Sequence, residues 1–181
     1  MKKVYVLLAN GFELIEALTP VAVLRRGGIS VETVSIYDSL EVVSSNNVMI
    51  KADSTIDCEK MKDGDLLILP GGYPGYENLA EDKKSVELLN YYFENSKYIG
   101  AICGAPTILY KSSLLEGKEF TCHSAVLESI KQGKHVDKKV VVSDKIITSK
   151  GAGTSLDFSL ELLKLLSSDE IVRKVKGEMQ I

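Results

Sequence analysis

Short apolar runs that end at turn residues recur along the chain, and they predict buried β-strands. Runs of this length that are rich in Val and Ile suit strands covered on both faces of a sheet. We expect six of them, at residues 4–8, 31–36, 66–69, 98–103, 140–142 and 146–148.

Stretches with apolar side chains at helical spacing lie between several of these runs. Residues 13–26 carry such a face at Ile15, Leu18, Val21 and Ala22, and the stretch stops at two glycines. Pro20 predicts a kink or a restart there, because an interior proline removes a backbone donor. The expected helices are residues 13–26, 84–95, 105–111, 125–131, 154–166 and 169–175.

The alternation of strands and helices predicts an α/β fold. Its sheet should be doubly wound and mostly parallel, with helices on both faces. Residues 41–51 differ, because two short β-prone pieces flank a Ser-Ser-Asn-Asn turn, and they predict a small hairpin at the edge of the main sheet. We see no repeat or linker, so residues 1–181 are predicted to form a single domain.

Composition and charge narrow the possible partners. Apolar residues make up 45% of the 181 positions and charged residues 26%, as in a globular protein. The net charge of −3 is spread along the chain and forms no basic stripe, which argues against nucleic acid as a partner. The apolar run at residues 4–9 is too short to span a membrane and lacks a cleavage site, so we expect a cytoplasmic protein without a membrane partner.

Three isolated cysteines, Cys58, Cys103 and Cys122, are expected to be free thiols, because their odd number and wide spacing argue against a disulfide framework. Neither they nor the two histidines have the spacing of metal ligands. The paired glycines at 71–72 also lack the lysine of a phosphate-binding loop. We therefore expect no metal and no cofactor.

Cys103 has the sequence context of a nucleophile. An apolar strand runs directly into it, and Gly-Ala-Pro follows, with the proline suited to the first turn of a helix. A side chain at such a strand-to-helix turn is exposed for reaction, and the helix N-terminus favours the thiolate. The alternative is a buried structural cysteine, and the flanking pattern favours the functional interpretation over it.

A glycine-rich loop at residues 69–75 follows another predicted strand. Glycine lets the backbone approach a ligand, so the N–H groups of Gly72 and Gly104 could form an oxyanion site beside Cys103. A tight turn explains the loop equally well.

Glu16 and His123 are candidates for proton transfer. Glu16 is either a solvated helix residue or a partly buried acid with a raised pKa, and the residues alone favour the solvated interpretation. His123 follows a β-prone piece and is a candidate base for Cys103, although chance could also put one of two histidines there. His135 follows a polar stretch and is expected in a surface loop.

Together these motifs resemble the ThiJ/PfpI superfamily and, within it, the DJ-1-like group. The likeness runs from Lys3 to about Val175. It is carried by the acidic motif at residues 11–16, the glycine loop at 69–72, the cysteine elbow at 101–106 and the glycine-rich turn at 149–155.

The resemblance implies a flavodoxin-like, class I glutamine amidotransferase-like fold and, commonly, a homodimer. It implies that Cys103 is an easily oxidised nucleophile, that Glu16 is a proton-bearing acid hydrogen-bonded to it, and that His123 lies nearby. Gly72 and Gly104 match the family's backbone donors.

Two positions depart from the group. Asn46 stands where some members carry a basic pocket residue, which weakens any inference about anionic substrates. Cys122 beside His123 is either a small packing residue, which we favour, or a second thiol that resolves oxidised Cys103.

Three functions remain open. The resemblance implies an enzyme that acts on small dicarbonyls such as methylglyoxal, of glyoxalase III or deglycase type. The same thiol would also serve a redox sensor or stress chaperone without turnover. A cysteine hydrolase is the weakest of the three, because protease-like members place a histidine directly after the nucleophile, and this chain has Gly104 there.

Overall fold

A mostly parallel sheet lies at the centre of this computed structural model, which describes residues 2–181. Eleven strands are present in the described part of the chain. They are β1 (Lys3–Leu8), β2 (Ser30–Ser35), β3 (Glu41–Val43), β4 (Met49–Lys51), β5 (Ser54–Thr55), β6 (Leu66–Leu69), β7 (Tyr98–Ile102), β8 (Glu119–Phe120), β9 (Lys134–His135), β10 (Val140–Ser143) and β11 (Ile146–Ser149).

Seven of these strands form the main sheet, in the order β10-β11-β7-β6-β1-β2-β5. β10 pairs with β11 antiparallel, and every other pairing in this sheet is parallel. The chain passes from β1 to β2 on one side and later reaches β6 on the other side of β1. The strand order reverses at β1, and ligands of doubly wound sheets bind at such a switch point, beyond the carboxyl ends of the strands.

Eight α-helices are described between and after these strands. They are α1 (Leu14–Arg26), α2 (Cys58–Met61), α3 (Gly75–Glu81), α4 (Lys83–Glu94), α5 (Pro106–Lys111), α6 (Ser124–Leu127), α7 (Ser155–Leu166) and α8 (Asp169–Glu178).

Helices cover both faces of the sheet. Side chains of one strand point alternately to opposite sides, so each strand presents apolar side chains to the helices on both faces. Tyr5 and Leu7 of β1 pack in one apolar cluster with Leu88 of α4. Val6 of the same strand packs in a second cluster with Phe158 of α7. The predicted α/β fold class is confirmed.

Helix α1 differs from its prediction in two ways. It is continuous through Pro20, which is buried, so the helix does not restart there. Its predicted apolar face was also wrong in part, because Ile15 is 53% exposed whereas Glu16 is 1% exposed. The helix is therefore rotated from the face that hydrophobicity alone favours.

The hairpin predicted at residues 41–51 forms from β3 and β4, which make a separate two-stranded sheet. It is hydrogen-bonded to the turn after β1: the N–H of Gly11 donates to the carbonyl of Val43, and the N–H of Ser45 to that of Phe12, each at 2.8 Å. The hairpin thus lies against the entry to α1 and does not extend an edge strand of the main sheet.

Other helices also depart from the sequence expectations, and the short helix α2 was not predicted. Helix α3, which begins directly after Pro74, was not predicted. Helix α6 ends at Leu127 instead of residue 131, because Ser129 and Ile130 bond to carbonyls three residues back and tighten the chain into turns.

Candidate active site

Cys103 lies at the turn between β7 and α5, as predicted for a nucleophile elbow. Its φ of 65° is in the left-handed region, which non-glycine residues adopt only when the surroundings hold them there. Its N–H donates to the carbonyl of Ser149 at 3.0 Å, and its carbonyl accepts from the N–H of His123 at 2.9 Å. The elbow is thereby tied to β11 on one side and to the entry of α6 on the other.

Glu16 lies in the first turn of α1 and is buried, so the solvated interpretation was wrong. Its Oε2 atom accepts a hydrogen bond of 2.9 Å from the N–H of Gly71. Glu13 caps the same helix by accepting the N–H of Glu16 at 2.8 Å. Burial raises the pKa of Glu16 to about 7, and its hydrogen bond with Cys103 acts in the opposite direction.

Cys103 and Glu16 form an electrostatically coupled pair. Burial, and then the adjacent charge of Glu16, raise the pKa of the Cys103 thiol to about 12. Backbone N–H groups of Gly72 and Gly104 lower the pKa of the same thiol. Helix α5 alone therefore does not make this a low-pKa thiol, as its sequence context suggested.

The mutual repulsion has a simple consequence at neutral pH. The pair favours one negative charge over two, because each charge raises the pKa of the other group. That charge lies either on the carboxylate beside a neutral thiol or on the sulfur beside a carboxylic acid that donates to it. Moving one proton between Glu16 and Cys103 interconverts the two forms.

The turn after β11 completes the surroundings of this pair. A methyl group on Gly151 would lie 3.7 Å from Oε1 of Glu16, 3.9 Å from Sγ of Cys103 and 3.5 Å from Cδ2 of His123. The backbone N–H of Ala152 also bonds to Glu16 and lowers its pKa. Gly151 therefore lies where all three candidate side chains meet.

Thr154 holds that turn in shape. Its Oγ1 atom donates to the carbonyl of Gly151 at 2.9 Å and lies 2.7 Å from the Oγ atom of Ser149. Ser149 in turn donates to the carbonyl of Lys139 at 2.8 Å. These hydroxyl contacts hold the turn after β11, in which the N–H of Ala152 reaches Glu16.

His123 is exposed and lies at the entry to α6. Its Nδ1 atom accepts the N–H of Ala125 at 3.1 Å and caps the helix. In the neutral ring the proton is therefore on Nε2. The ring can take part in proton transfer through that nitrogen without losing the cap.

A cavity of about 350 Å³ opens above the sulfur and brings most of the predicted site together, since Gly72, Cys103, Gly104 and His123 all line it. The remaining walls are Tyr73, Tyr76, Ala125 and Val126. Glu16 lies behind Cys103, outside the lining. No Asp, Glu, Lys or Arg is among the residues that line this cavity within the described chain.

The model of the DJ-1/PfpI family matches residues 2–165. The chain belongs to this family.

Several relatives match the chain over most of its length. It is 34% identical over 182 residues to the Parkinson disease protein 7 homolog of Danio rerio, covering 98% of this chain and 96% of that protein. It is 37% identical over 161 residues to the glutathione-independent glyoxalase DJR-1.2 of Caenorhabditis elegans, covering 87% and 84%. DJ-1 homologs B and A of Arabidopsis thaliana are 36% and 34% identical, and the chain spans only 37% and 42% of their lengths.

Solved structures of DJ-1 proteins superpose on the whole chain. DJ-1beta of Drosophila melanogaster gives a TM-score of 0.94 at 31% identity and covers 99% of this chain and 98% of its own. A mutant of a DJ-1 superfamily protein from Salmonella typhimurium gives 0.93 at 35% identity, with the same coverage.

Cys122 and Asn46, the two departures from the DJ-1-like group, lie outside the Cys103 cavity. Cys122 is 4% exposed and packs in the cluster that contains Tyr5, whereas Cys103 packs against the cluster on the other face of the sheet. This placement supports the packing interpretation of Cys122. Asn46 is exposed in the hairpin turn.

Four further residues of this DJ-1-family site were missed as site residues by the sequence reasoning. Gly71 and Gly151 lie within motifs that were recognised, but only the packing shows that the missing side chain of Gly71 makes room for Glu16 and Cys103 and that Gly151 lies in contact distance of both. Tyr73 and Tyr76 gave no signal, because tyrosines after a glycine loop are unremarkable in a sequence.

Within residues 2–181, no cluster of three or more His, Cys, Asp or Glu side chains could hold a metal ion. None of the helices described there is both long and apolar enough to cross a membrane.

Proposed function

We propose that this chain is a cofactor-independent glyoxalase that converts small dicarbonyls such as methylglyoxal into 2-hydroxy acids, with Cys103 as the nucleophile. The observation that carries the proposal is the surroundings of one sulfur atom. The Cys103 thiol lies beside the Glu16 carboxyl group and close to the backbone N–H groups of Gly72 and Gly104, and it lines a cavity. The name of the Caenorhabditis elegans relative, a glutathione-independent glyoxalase, agrees with it.

In the first step the sulfur of Cys103 forms a bond to the aldehyde carbon. The electron pair of the C=O bond moves to oxygen, and the thiol proton passes through Glu16 to that oxygen, which gives a hemithioacetal. The N–H groups of Gly72 and Gly104 stabilise the negative charge that develops on the oxygen. A site without a cationic side chain can stabilise an oxyanion in this way.

The second step moves hydrogen from the former aldehyde carbon to the neighbouring carbon. A base removes the C–H proton to give an enediol, and a proton returned to the next carbon leaves a thioester. Glu16 suits this exchange, because a carboxyl group with a pKa of about 7 both accepts and releases protons near neutral pH. The Nε2–H of His123 is the candidate donor to the second oxygen.

Water then hydrolyses the thioester, releasing the 2-hydroxy acid and the free thiol of Cys103. Methylglyoxal plus water thus gives lactate. One carbon is oxidised and its neighbour reduced, so the reaction needs no external electron carrier. Deglycase activity on dicarbonyl adducts would begin with the same attack by sulfur, and it is part of this proposal.

Lactate production from methylglyoxal without glutathione tests the proposal. The wild-type protein should form lactate, Cys103→Ser should fall to the rate of the buffer, and Cys122→Ser is the matched control because its thiol packs in the core. Lactate formation by Cys103→Ser at the wild-type rate would remove Cys103 from the mechanism. A wild-type protein that forms no lactate favours the redox-sensor alternative, because Gly72 and Gly104 would equally stabilise an oxidised sulfur.

We also propose that this chain acts in the cytoplasm and forms a homodimer, the latter as the family resemblance implies. Exposed apolar side chains on α1 and the hairpin, those of Ile15, Val48 and Met49, support self-association. Sedimentation equilibrium should give twice the chain mass of 19.8 kDa.

A further inference from the structure

Two tyrosines form one wall of the Cys103 cavity, and nothing in the proposed chemistry uses them. Tyr73 lies in the loop after β6 and Tyr76 in the first turn of α3. Their ring centroids are 6.4 Å apart and their planes are inclined by 56°. This spacing is within the range of favourable aromatic pairs, so the two rings form a continuous apolar surface.

Tyr76 is fixed directly beside the reacting atoms. A Cβ atom on Gly104 would lie only 2.5 Å from Cδ1 of Tyr76, so the ring packs on the backbone that supplies one of the N–H donors. The backbone N–H of Tyr76 also donates to the carbonyl of Gly72 at 2.9 Å. A substrate held by Cys103, Gly72 and Gly104 therefore meets this ring.

Tyr73, in contrast to the packed ring of Tyr76, is largely exposed to solvent, with 69% of its surface accessible. It is the most exposed of the large apolar and aromatic residues in the described chain. An aromatic ring in water at the mouth of a cavity gains free energy when a flat apolar group packs on it. Tyr73 is thus placed to contact the part of a substrate that points away from the sulfur.

The size and charge of the cavity limit that substrate. About 350 Å³ is within the range that encloses drug-sized ligands, whereas methylglyoxal carries only a methyl group beside its two carbonyls. Ala125 and Val126 add further apolar side chains to the lining. The cavity therefore suits a neutral dicarbonyl with a larger apolar substituent.

We infer that Tyr73 and Tyr76 are specificity-determining residues, and that the preferred substrate class is a 2-oxoaldehyde with an aromatic substituent, an arylglyoxal. This rests on the proposed glyoxalase function. Phenylglyoxal plus water gives mandelate by the same bond changes that convert methylglyoxal to lactate. The aldehyde remains at Cys103, and the phenyl ring packs on the tyrosine wall.

The test compares kcat/KM for phenylglyoxal and for methylglyoxal. The wild-type ratio should favour phenylglyoxal, and Tyr73→Ala should lower that ratio about 2- to 10-fold, the size of one aromatic pair contact. Tyr73→Phe keeps the ring and should keep the ratio. Phe93→Ala is the control, because Phe93 is another exposed aromatic residue but does not line this cavity. An unchanged ratio in Tyr73→Ala would overturn the inference.

A second measurement does not depend on turnover. Protection of Cys103 from iodoacetamide is followed with two unreactive ketols, 2-hydroxyacetophenone and hydroxyacetone. Stronger protection by the aromatic ketol, weakened in Tyr73→Ala, supports the tyrosine wall even in a protein that forms no product, in which case only the glyoxalase proposal fails. Equal protection by the two ketols contradicts the wall.

Discussion

The N–H of Gly71 donates a 2.9 Å hydrogen bond to Oε2 of Glu16, and this bond joins the glycine loop to helix α1. The carbonyl of the same glycine accepts the N–H of Glu13, also at 2.9 Å. Both the N–H and the carbonyl of Gly71 are therefore hydrogen-bonded to residues at the start of α1. Gly71 therefore helps to fix the position of the buried acid relative to Cys103.

Gly71→Ala should damage the site and the fold together. The added methyl would lie 2.6 Å from Cβ of Cys103 and 2.6 Å from Oε2 of Glu16. We expect a loss of about 1–3 kcal/mol in the free energy of unfolding, with lost turnover, because overpacking forces backbone shifts. Gly177→Ala in α8 is the control: its methyl meets nothing within 4 Å, and it should stabilise the helix by about 0.5–1 kcal/mol. Urea unfolding of both variants measures the difference, and a wild-type-like Gly71→Ala would contradict this account.

The buried acid should make stability depend on pH in an unusual direction. The pKa of Glu16 is about 7 in the folded protein and near 4.5 when unfolded, so the folded state binds more protons between these values. Stability contributed by Glu16 is complete below pH 4.5 and is lost as the pH rises through 7. Over that range the loss is about 3 kcal/mol.

Glu16→Gln isolates this effect, because the amide does not titrate. The unfolding free energy of the wild type minus that of the variant should fall by about 3 kcal/mol from pH 4.5 to pH 8. Urea unfolding at four pH values in this range gives the curve. A constant difference would mean that Glu16 titrates normally in the folded state.

The same substitution should separate thiol ionisation from catalysis. Glu16→Gln removes the neighbouring charge that raises the pKa of Cys103, so alkylation of Cys103 at pH 8 should become faster. Turnover of methylglyoxal should nevertheless fall about 10²- to 10⁴-fold, because the amide cannot transfer protons. Slower alkylation would indicate that the wild-type pair carries its charge on sulfur beside a protonated Glu16. Retained turnover would remove Glu16 from the mechanism.

The burial of Glu16 shows what a hydrophobic pattern can and cannot predict. The pattern correctly predicts α1, which depends on local spacing, but it assigns Ile15 to the core and Glu16 to the solvent. In the structure Glu16 is buried, where it is contacted by Gly71 and Ala152, which are far away in the sequence, and Ile15 is exposed. Only the motif resemblance pointed to a buried acid, because it carries information about such long-range contacts.

Other features were beyond prediction for the same reason. The position of the hairpin depends on bonds from Gly11 and Phe12 to residues more than thirty positions away. The tyrosine wall depends on Tyr76 packing against Gly104, which belongs to another loop. By contrast, the strand-to-helix turn at Cys103 is local, and the sequence predicted it correctly.

His123 has two separable roles, a helix cap and a candidate proton donor. His123→Asn keeps a capping side chain, so α6 should remain intact while turnover falls at least about 10²-fold. His123→Ala also loses the cap, at an additional cost of about 0.5–2 kcal/mol in stability. His135→Asn is the control, since His135 does not line the Cys103 cavity. Wild-type turnover in His123→Asn would leave the histidine only its capping role.

Limited peroxide treatment should oxidise Cys103 before the other two thiols. The N–H groups of Gly72 and Gly104 favour a charged sulfur at Cys103. Cys122 is 4% exposed, and burial raises its pKa to about 11. Cys58 lies on α2, where its thiol donates to the carbonyl of Lys84 at 3.4 Å. Burial also raises the pKa of Cys103 itself, so oxidation should be slow and should accelerate in Glu16→Gln, in parallel with alkylation.

Peptide mass spectrometry after stoichiometric peroxide measures sulfinate at each cysteine, and loss of lactate formation should follow the sulfinate at Cys103 in proportion. Oxidation that begins at Cys58 or Cys122 while turnover persists would show that the Cys103 site does not stabilise an oxidised sulfur. This result would count against the redox-sensor alternative and leave catalysis as the role of the Cys103 thiol.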